Sequence, residues 1–273
     1  MELYQIILLA LFFGLVVLEI IFTNFFSKHN QRPKDGVVEL FGFLQLNFLV
    51  LPLVFGFGYG LTETFFPESK GLISDWGFFA IFGLLLIFDD LTQYWWHRTC
   101  HKVPVLYNLH RAHHDSEYLS IRVVYRNALL YYVLMPGLWF AGALFYLGSG
   151  WVYAVYIVIK QVVIYGAHTD LRWDKKLYEI KWMNPIMWVL ERTISTPSTH
   201  WMHHGKHLHD ENTHYKGNYG NLLFLWDIIF GTAKITRKYP KEVGVENLSE
   251  VSALTQLFWP IFRSPKEPET EKA

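Results

Sequence analysis

Long apolar runs separated by short polar stretches dominate the chain. Three of them can cross a bilayer as helices, because the hydrocarbon core requires about 20 mostly apolar residues; they cover residues 3–26, 37–61 and 76–96. A fourth apolar block, residues 128–167, is interrupted by Gly148-Ser149-Gly150, which predicts a tight hairpin of two spans. The pattern therefore predicts an all-α, polytopic transmembrane helical bundle of about 4–5 spans.

Three of the charged residues inside the apolar runs bear on how the spans are placed. Lys160 lies inside the last predicted span, so it must snorkel, face the protein interior, or mark a segment that does not cross fully. Glu39 lies near a predicted helix end, where its head group is expected to reach water. Glu19 lies deeper in the first span, and the pattern offers no reason for it.

The loop charges predict an orientation, because cytoplasmic loops carry an excess of lysine and arginine. The loop at 27–36 carries Lys28, Arg32 and Lys34, whereas the loop at 62–75 is mainly acidic. The first loop is therefore expected to face the cytoplasm. Alternation of the spans then places residues 97–127, and everything after the hairpin, on that same face, where they form a cytoplasmic helical cap.

Composition agrees with a membrane protein and excludes several other classes. The 273 residues are 52% apolar and 18% charged, and their zero net charge gives no reason to expect a nucleic-acid partner. The single cysteine, Cys100, excludes an intramolecular disulfide framework and a cysteine-rich zinc module. The first apolar run is too long for a removable signal peptide and is followed by a basic stretch.

The chain is expected to form one integral-membrane domain, residues 1–240. Residues 241–273 are expected to form a C-terminal segment with an interfacial helix in 251–262. The charged, proline-containing end of that segment, RSPKEPETEKA, is predicted to be disordered.

Histidines are concentrated in two patches, HRTCHKVPVLYNLHRAHH from residue 97 and HWMHHGKHLH from residue 200. Residues three or four apart share one face of a helix. The patches therefore contain three arrays with helical spacing on one membrane face: His97, His101, His110, His113, His114, His200, His203 and His204.

Imidazole binds zinc, copper, iron and nickel, and eight imidazoles exceed the needs of one ion, so the arrays predict two metal ions. No glutamate stands three residues before these histidines, as it does in bundle-type di-iron carboxylate sites. An open position on such an ion could bind dioxygen. His207, His209 and His214 lie in a polar loop, and the spacing leaves their metal binding open.

The boxes HRTCH, HRAHH and HWMHH, followed by NYGNLLFLWDIIFGT at 218–232, resemble the fatty acid hydroxylase / sterol desaturase superfamily over residues 80–235. The resemblance implies a membrane-bound non-haem di-iron oxygenase that hydroxylates or desaturates a lipid C–H bond. It implies that the eight box histidines bind iron, together with His168 of GAHTDL. Asp90, Asp227 and His207 are expected to support these ligands, since metal-bound histidines donate their other ring N–H to a nearby acceptor.

The chain contains no dinucleotide fingerprint, no cysteine set for an iron–sulfur cluster and no appended haem domain. Electrons are therefore expected from NAD(P)H through an external ferredoxin or b-type cytochrome with its reductase. Dioxygen would be the co-substrate.

Two alternatives remain, a zinc-dependent membrane hydrolase and a histidine-rich metal transporter. A transporter tends to place ionisable ligands near the bilayer midplane, whereas these arrays lie at and beyond helix ends. The sequence leaves open which lipid is the substrate (a sterol, a fatty acyl chain, a carotenoid or an ether lipid), and it favours hydroxylation over desaturation slightly. The C-terminus lacks an endoplasmic-reticulum retrieval signal, which favours a bacterial cytoplasmic membrane over the endoplasmic reticulum.

Overall fold

The structure, a computed structural model, describes residues 2–28 and 30–263. Apart from two isolated bridge pairs, the described ranges contain helices and loops but no strand. The helices are α1 (Leu3–Phe22), α2 (Pro33–Phe65), α3 (Phe78–Lys102), α4 (Pro104–His114), α5 (Leu129–Val133), α6 (Pro136–Leu147), α7 (Gly150–His168), α8 (Trp173–Glu179), α9 (Asn184–Thr193), α10 (Pro197–His203), α11 (Leu225–Ile229) and α12 (Ala253–Phe258). Short 3₁₀ turns lie at Pro67–Ser69, Ile121–Tyr125 and Lys181–Met183. The residues from 264 onward, where disorder was predicted, lie outside the described residues.

Four helices, α1, α2, α3 and α7, are long and apolar enough to cross a membrane, with 20, 33, 25 and 19 residues respectively. Large apolar side chains such as Phe48 and Phe79 point outward, as lipid-facing residues do. These helices indicate an integral membrane protein and confirm the predicted all-α bundle. The predicted hairpin is present, with Gly148 in the left-handed region (φ 111°), but its first arm, α6, has 12 residues and is shorter than a span requires.

The hairpin packs closely against α2. At Gly142 an added Cβ would lie 2.2 Å from the Phe55 carbonyl oxygen, so this crossing requires glycine. Both α2 and α3 also contain a π-helical turn, at Gln45–Val50 and Leu86–Leu91. In α3 the turn includes Asp89 and Asp90, which both point into the protein.

Lys160 faces the protein interior, one of the three possibilities that its position left open. Its Nζ lies 2.6 Å from the Asp89 carboxylate, which also accepts a hydrogen bond of 2.8 Å from Tyr156. A buried charge inside a span requires a partner of this kind. The expectation that Glu39 reaches water is wrong, because its carboxylate is buried, pairs with Arg122 at 3.5 Å and accepts a hydrogen bond from Tyr118.

The structure explains why Glu19 lies deep in the first span, for which the sequence pattern offered no reason. Its carboxylate is fully buried and joins α1 to two loops. The first loop donates from the Ser120 hydroxyl at 2.5 Å and the Ile121 N–H at 3.0 Å, and the second from the Thr169 hydroxyl at 2.7 Å and the Asp170 N–H at 2.9 Å. The first span is therefore fastened to the loops that follow α4 and α7.

The basic loop between α1 and α2 lies beside His114 and His168, since it pairs with the residues that follow them closely in the chain. Lys28 pairs with Asp170 at 2.5 Å, and Arg32 pairs with Asp115 at 2.7 Å. Helix α12 packs on the same side, where Gln256 donates to Asp115 at 2.7 Å. The basic loop, the first histidine patch, His168 and the C-terminal helix therefore share one end of the bundle.

Replacing Glu19 by glutamine is expected to lower the free energy of unfolding by about 2–4 kcal/mol. The amide keeps one acceptor oxygen but turns an NH₂ group toward hydrogen-bond donors. Thermal unfolding in detergent measures the change. Glu63→Gln, at an exposed position near the end of α2, serves as the control. Equal melting temperatures for the two variants would contradict the role given to Glu19.

Candidate metal centre

Nine buried histidines converge at the end of the bundle that carries the basic loop. They form two groups, and within each group one ring nitrogen of every histidine lies within 4.8 Å of the corresponding nitrogens of the others. The first group contains His97, His101, His110, His114 and His203, and the second contains His113, His168, His200 and His204. The groups are neighbours, since the rings of His114 and His204 stack with their centres 4.3 Å apart. The structure thus brings together all nine histidines predicted as ligands.

Local sequence explains how the helices present these rings. The chain is extended at Val103, and Pro104 starts α4 at a position where its missing N–H costs nothing, so α3 ends and α4 begins with one extended residue between them. Helix α10 begins similarly, with Thr196 as the capping residue and Pro197 in the first turn. His168 ends α7. Four helix ends therefore deliver the nine side chains.

Adjacent histidines enter different groups. Successive residues of an α-helix point about 100° apart. His113 and His114 therefore diverge, one into each group, and so do His203 and His204. The second and third boxes each end in two adjacent histidines, and this doubling already indicates that one histidine of each pair enters each group. The prediction of two metal ions used only the number of histidines.

Fixed acceptors hold five of the rings by Nδ1. Four of the acceptors are backbone carbonyls, those of Tyr219 for His97 (2.8 Å), Val123 for His113 (3.1 Å), Ile164 for His168 (2.8 Å) and Gly217 for His203 (2.8 Å). The fifth acceptor is the Asn127 side chain, 2.7 Å from His110. Because a carbonyl can only accept, each of these Nδ1 atoms carries the proton. The Nε2 atoms therefore point their lone pairs into the groups.

This tautomer places lone pairs against each other once in each group. The Nε2 atoms of His97 and His203 lie 3.0 Å apart, and those of His113 and His168 lie 3.2 Å apart. Neutral rings held in this way have no proton to share. Burial lowers the pKa of His113 and His203 well below the ordinary value, so protonation is opposed as well. A cation between the rings removes the repulsion, and the donor set therefore fits a metal ion in each group.

The loop at 217–232 positions the first group. Its Asp227 carboxylate accepts hydrogen bonds from the Tyr219 N–H at 2.9 Å and the Gly220 N–H at 2.7 Å, and from the Thr232 hydroxyl at 2.6 Å. The Tyr219 carbonyl then orients His97. Asp227 therefore acts on this histidine through one intervening peptide unit, as an indirect support.

Asp90 supports the same loop from α3 and has no histidine partner among the described residues. It accepts hydrogen bonds from the Leu222 and Leu223 N–H groups, both at 3.2 Å, and from the Trp226 ring N–H at 2.8 Å. The expected contact with a ligand histidine is replaced by contacts with the loop.

The structure places the polar-loop histidines outside both groups. His207 lies 3.1 Å from Glu246 and 3.3 Å from Glu242, and the hydrogen bond with Glu246 raises its pKa. His209 is exposed and lies beside His207. His214 lies 3.1 Å from the Thr232 carbonyl oxygen. The predicted support of the ligands by His207 is therefore not seen among the described residues.

Several supporting residues escaped the sequence interpretation. Asn127 and the four backbone carbonyls carry no signal in the spacing of residue types, since any residue has a carbonyl. Tyr131, whose ring stacks on His110 at 4.9 Å, resembles any other aromatic residue of an apolar run. The closing Asn-Tyr-Gly segment, with the preceding Gly217, acts through its backbone carbonyl groups, which its side chains do not reveal.

Comparison with known proteins agrees with the boxes. The chain matches the family described as fatty acid hydroxylase over residues 82–232, which include all nine histidines. It is 31% identical to an alkylglycerol monooxygenase of Danio rerio over 148 residues (52% of this chain and 28% of that protein). The Homo sapiens protein of the same name is 31% identical over 143 residues, again 52% and 28% of the two chains.

A third relative matches over a longer region. The alkylglycerol monooxygenase of Xenopus tropicalis is 26% identical over 225 residues, which are 81% of this chain and 45% of that protein. The chain thus spans less than half the length of these three relatives. No solved structure matches it.

Asp227→Asn is expected to weaken metal binding by the first group about 10-fold or more, the range found when supports of a metal-bound histidine are lost. The amide turns an NH₂ group toward backbone N–H donors, so the Tyr219 carbonyl no longer orients His97. Competition with a chelator, followed by metal analysis, measures the loss. Asp75→Asn, at an exposed position, is the control. Equal resistance to the chelator would contradict the indirect support.

Proposed function

This chain belongs to the fatty acid hydroxylase family, and on that premise we propose that it is a membrane-bound non-haem di-iron oxygenase. It hydroxylates a lipid C–H bond with dioxygen and externally supplied electrons. The observation that carries the proposal is the pair of adjacent histidine groups, each with facing lone pairs that a cation would separate.

The first group would hold one iron ion and the second group the other. Bound iron would supply the activation of dioxygen needed to oxidise an unreactive carbon, which amino-acid side chains cannot perform. Imidazole binds both iron and zinc, so the ligands do not distinguish the two metals. Family membership favours iron. A catalytic zinc ion typically needs three protein ligands, and nine histidines exceed that need even for two ions.

The chain's own contribution is orientation and exclusion of water. The carbonyl groups that accept from Nδ1 fix the tautomers and increase the basicity of the inward nitrogens. Each of the nine histidines is at most 8% exposed, so bulk water is kept from the reacting centre. Tyr131, stacked on His110, closes one side of the first group.

The lipid substrate is proposed from the relatives. Their names assign them to alkylglycerols, so an alkylglycerol ether lipid is the first substrate to test. Hydroxylation is favoured over desaturation because these relatives are named monooxygenases. An external ferredoxin or b-type cytochrome, reduced by NAD(P)H through its reductase, would dock on the face that carries the histidines.

We place that face in the cytoplasm. The basic loop that predicts the orientation pairs with Asp115 and Asp170, next to His114 and His168, so the positive charge and the histidines lie together. The bacterial cytoplasmic membrane stays a prediction, and the relatives named above are animal proteins. The division into residues 1–240 and 241–273 also stays a prediction, although α12 packs against α2 and α4.

Protein purified without oxygen is expected to contain about two iron ions per chain, one for each imidazole group. Replacing His97 in the first group or His200 in the second by alanine should remove iron and abolish reductant-dependent oxygen uptake. His209→Ala, at an exposed position, should leave both unchanged. Elemental analysis and an oxygen electrode provide the measurements. Stoichiometric zinc without oxygen uptake would support the hydrolase instead.

The lipids of a host that expresses the protein should contain a species with one added oxygen, because hydroxylation inserts a single oxygen atom. Mass spectrometry of lipid extracts measures this, with an alkylglycerol supplied to the cells. Cells that express His97→Ala are the matched control. A lipid that loses two hydrogens would show desaturation, and identical lipids in both cultures would contradict an activity on lipids.

A further inference from the structure

The polarity of α9 is opposite to that of a helix on a water-exposed surface. Its inward side carries Glu191, which is 1% exposed and pairs with Arg237 through two contacts of 2.9 Å. Its outward side, together with the preceding 3₁₀ turn, carries large apolar residues: Trp182, Ile186, Trp188 and Val189, which are between 49 and 71% exposed. The helix thus buries Met187 and a paired carboxylate, and it turns large apolar side chains outward.

Helix α11, which packs beside α9, has the same inverted polarity. Asp227 is fully buried, whereas Ile228 and Ile229 are 40 and 57% exposed. The six outward residues of the two helices are called the outer apolar face below: Trp182, Ile186, Trp188, Val189, Ile228 and Ile229. Exposed apolar surface of this kind marks a contact with a partner or a membrane.

The position of α11 along α3 decides whether this face contacts a protein partner or the membrane. The Trp226 ring N–H donates to Asp90 at 2.8 Å, and the Phe230 ring lies 4.9 Å from that of Trp95. Counted from Phe78, a hydrocarbon core of about 20 residues ends near residue 97. Asp90 and Trp95 both lie short of that limit. Helix α11 therefore packs against the segment of α3 that this count assigns to the hydrocarbon core.

We propose that α9 and α11 are embedded in one leaflet of the bilayer without crossing it, and that the outer apolar face contacts lipid. The exposed Trp95 of α3 meets Phe230 directly, so this face continues the lipid-facing surface of the spans. Two of the six residues are tryptophans, which favour the membrane interface. Arg192 lies over the Trp188 ring at 4.3 Å, from which its charged head can extend toward the headgroups.

Helix α11 lies between the lipid leaflet and the first histidine group, and one of its sides faces each. Ile228 and Ile229 face lipid, whereas the neighbouring Asp227 faces inward and holds Tyr219, whose carbonyl orients His97. These contacts exist in the protein whatever reaction it performs, so the proposed membrane contact does not depend on the proposed function.

Single cysteines at Trp188 and Ile229, labelled with an environment-sensitive fluorophore and reconstituted in nanodiscs, test the proposal. Phe48→Cys, on the exposed surface of α2, is the lipid control, and Glu211→Cys, in the exposed polar loop, is the water control. Unmodified protein measures background labelling of the buried Cys100. Quenching by brominated lipids and by aqueous iodide is compared at each position.

We expect brominated lipid to remove at least half as large a fraction of the emission at Trp188→Cys and Ile229→Cys as at Phe48→Cys. Iodide should quench both labels less than it quenches the label at Glu211→Cys. Labels quenched by iodide as readily as at Glu211→Cys would overturn the proposal. Labels shielded from both quenchers would also overturn it, because a protein partner or a second copy would then cover the face.

Discussion

The mutual repulsion of buried imidazole lone pairs is the constraint on which this structure depends. Nine neutral rings meet in a small volume that excludes water, and in each group two rings held by Nδ1 turn their acceptor nitrogens toward each other. A buried acceptor without a donor is costly, and two that face each other are worse. Such an arrangement persists only where the surrounding backbone fixes the rings and a cation can satisfy them.

Four of the five fixing groups are backbone carbonyls, and buried carboxylates hold the segments that carry three of these carbonyls. Asp227 and Asp90 restrain the loop whose Tyr219 and Gly217 carbonyls accept from His97 and His203. Glu19 does the same for the second group, since Ser120 and Thr169 lie next to the segments that carry the Val123 carbonyl and His168. Glu19 belongs to α1, outside the family match at 82–232. The first span is therefore part of the support of the site as well as a membrane anchor.

Helix α11 likewise has two roles, one toward the membrane and one toward the histidine groups. Helix α11 turns Ile229 outward and Asp227 inward, so one short helix both presents apolar surface and braces a histidine-orienting loop. In lipid every buried polar group needs a partner within the protein. The π turn of α3 meets this need by directing Asp89 toward Lys160 and Asp90 toward the 222–226 loop.

The sequence by itself determined the apolar helices, the hairpin glycines and the eight histidines of the three arrays, because helix length and helical spacing are local properties of the chain. His168 was added by the family resemblance. The assignment of these histidines to the metal nevertheless stays a prediction. The tertiary structure alone decided that His203 joins His97 rather than His200, that Lys160 meets Asp89, and that Glu19 fastens two distant loops. These are contacts between segments far apart in sequence, often through backbone carbonyls that every residue possesses. No pattern of side chains records where such a carbonyl will point until the helices are packed together.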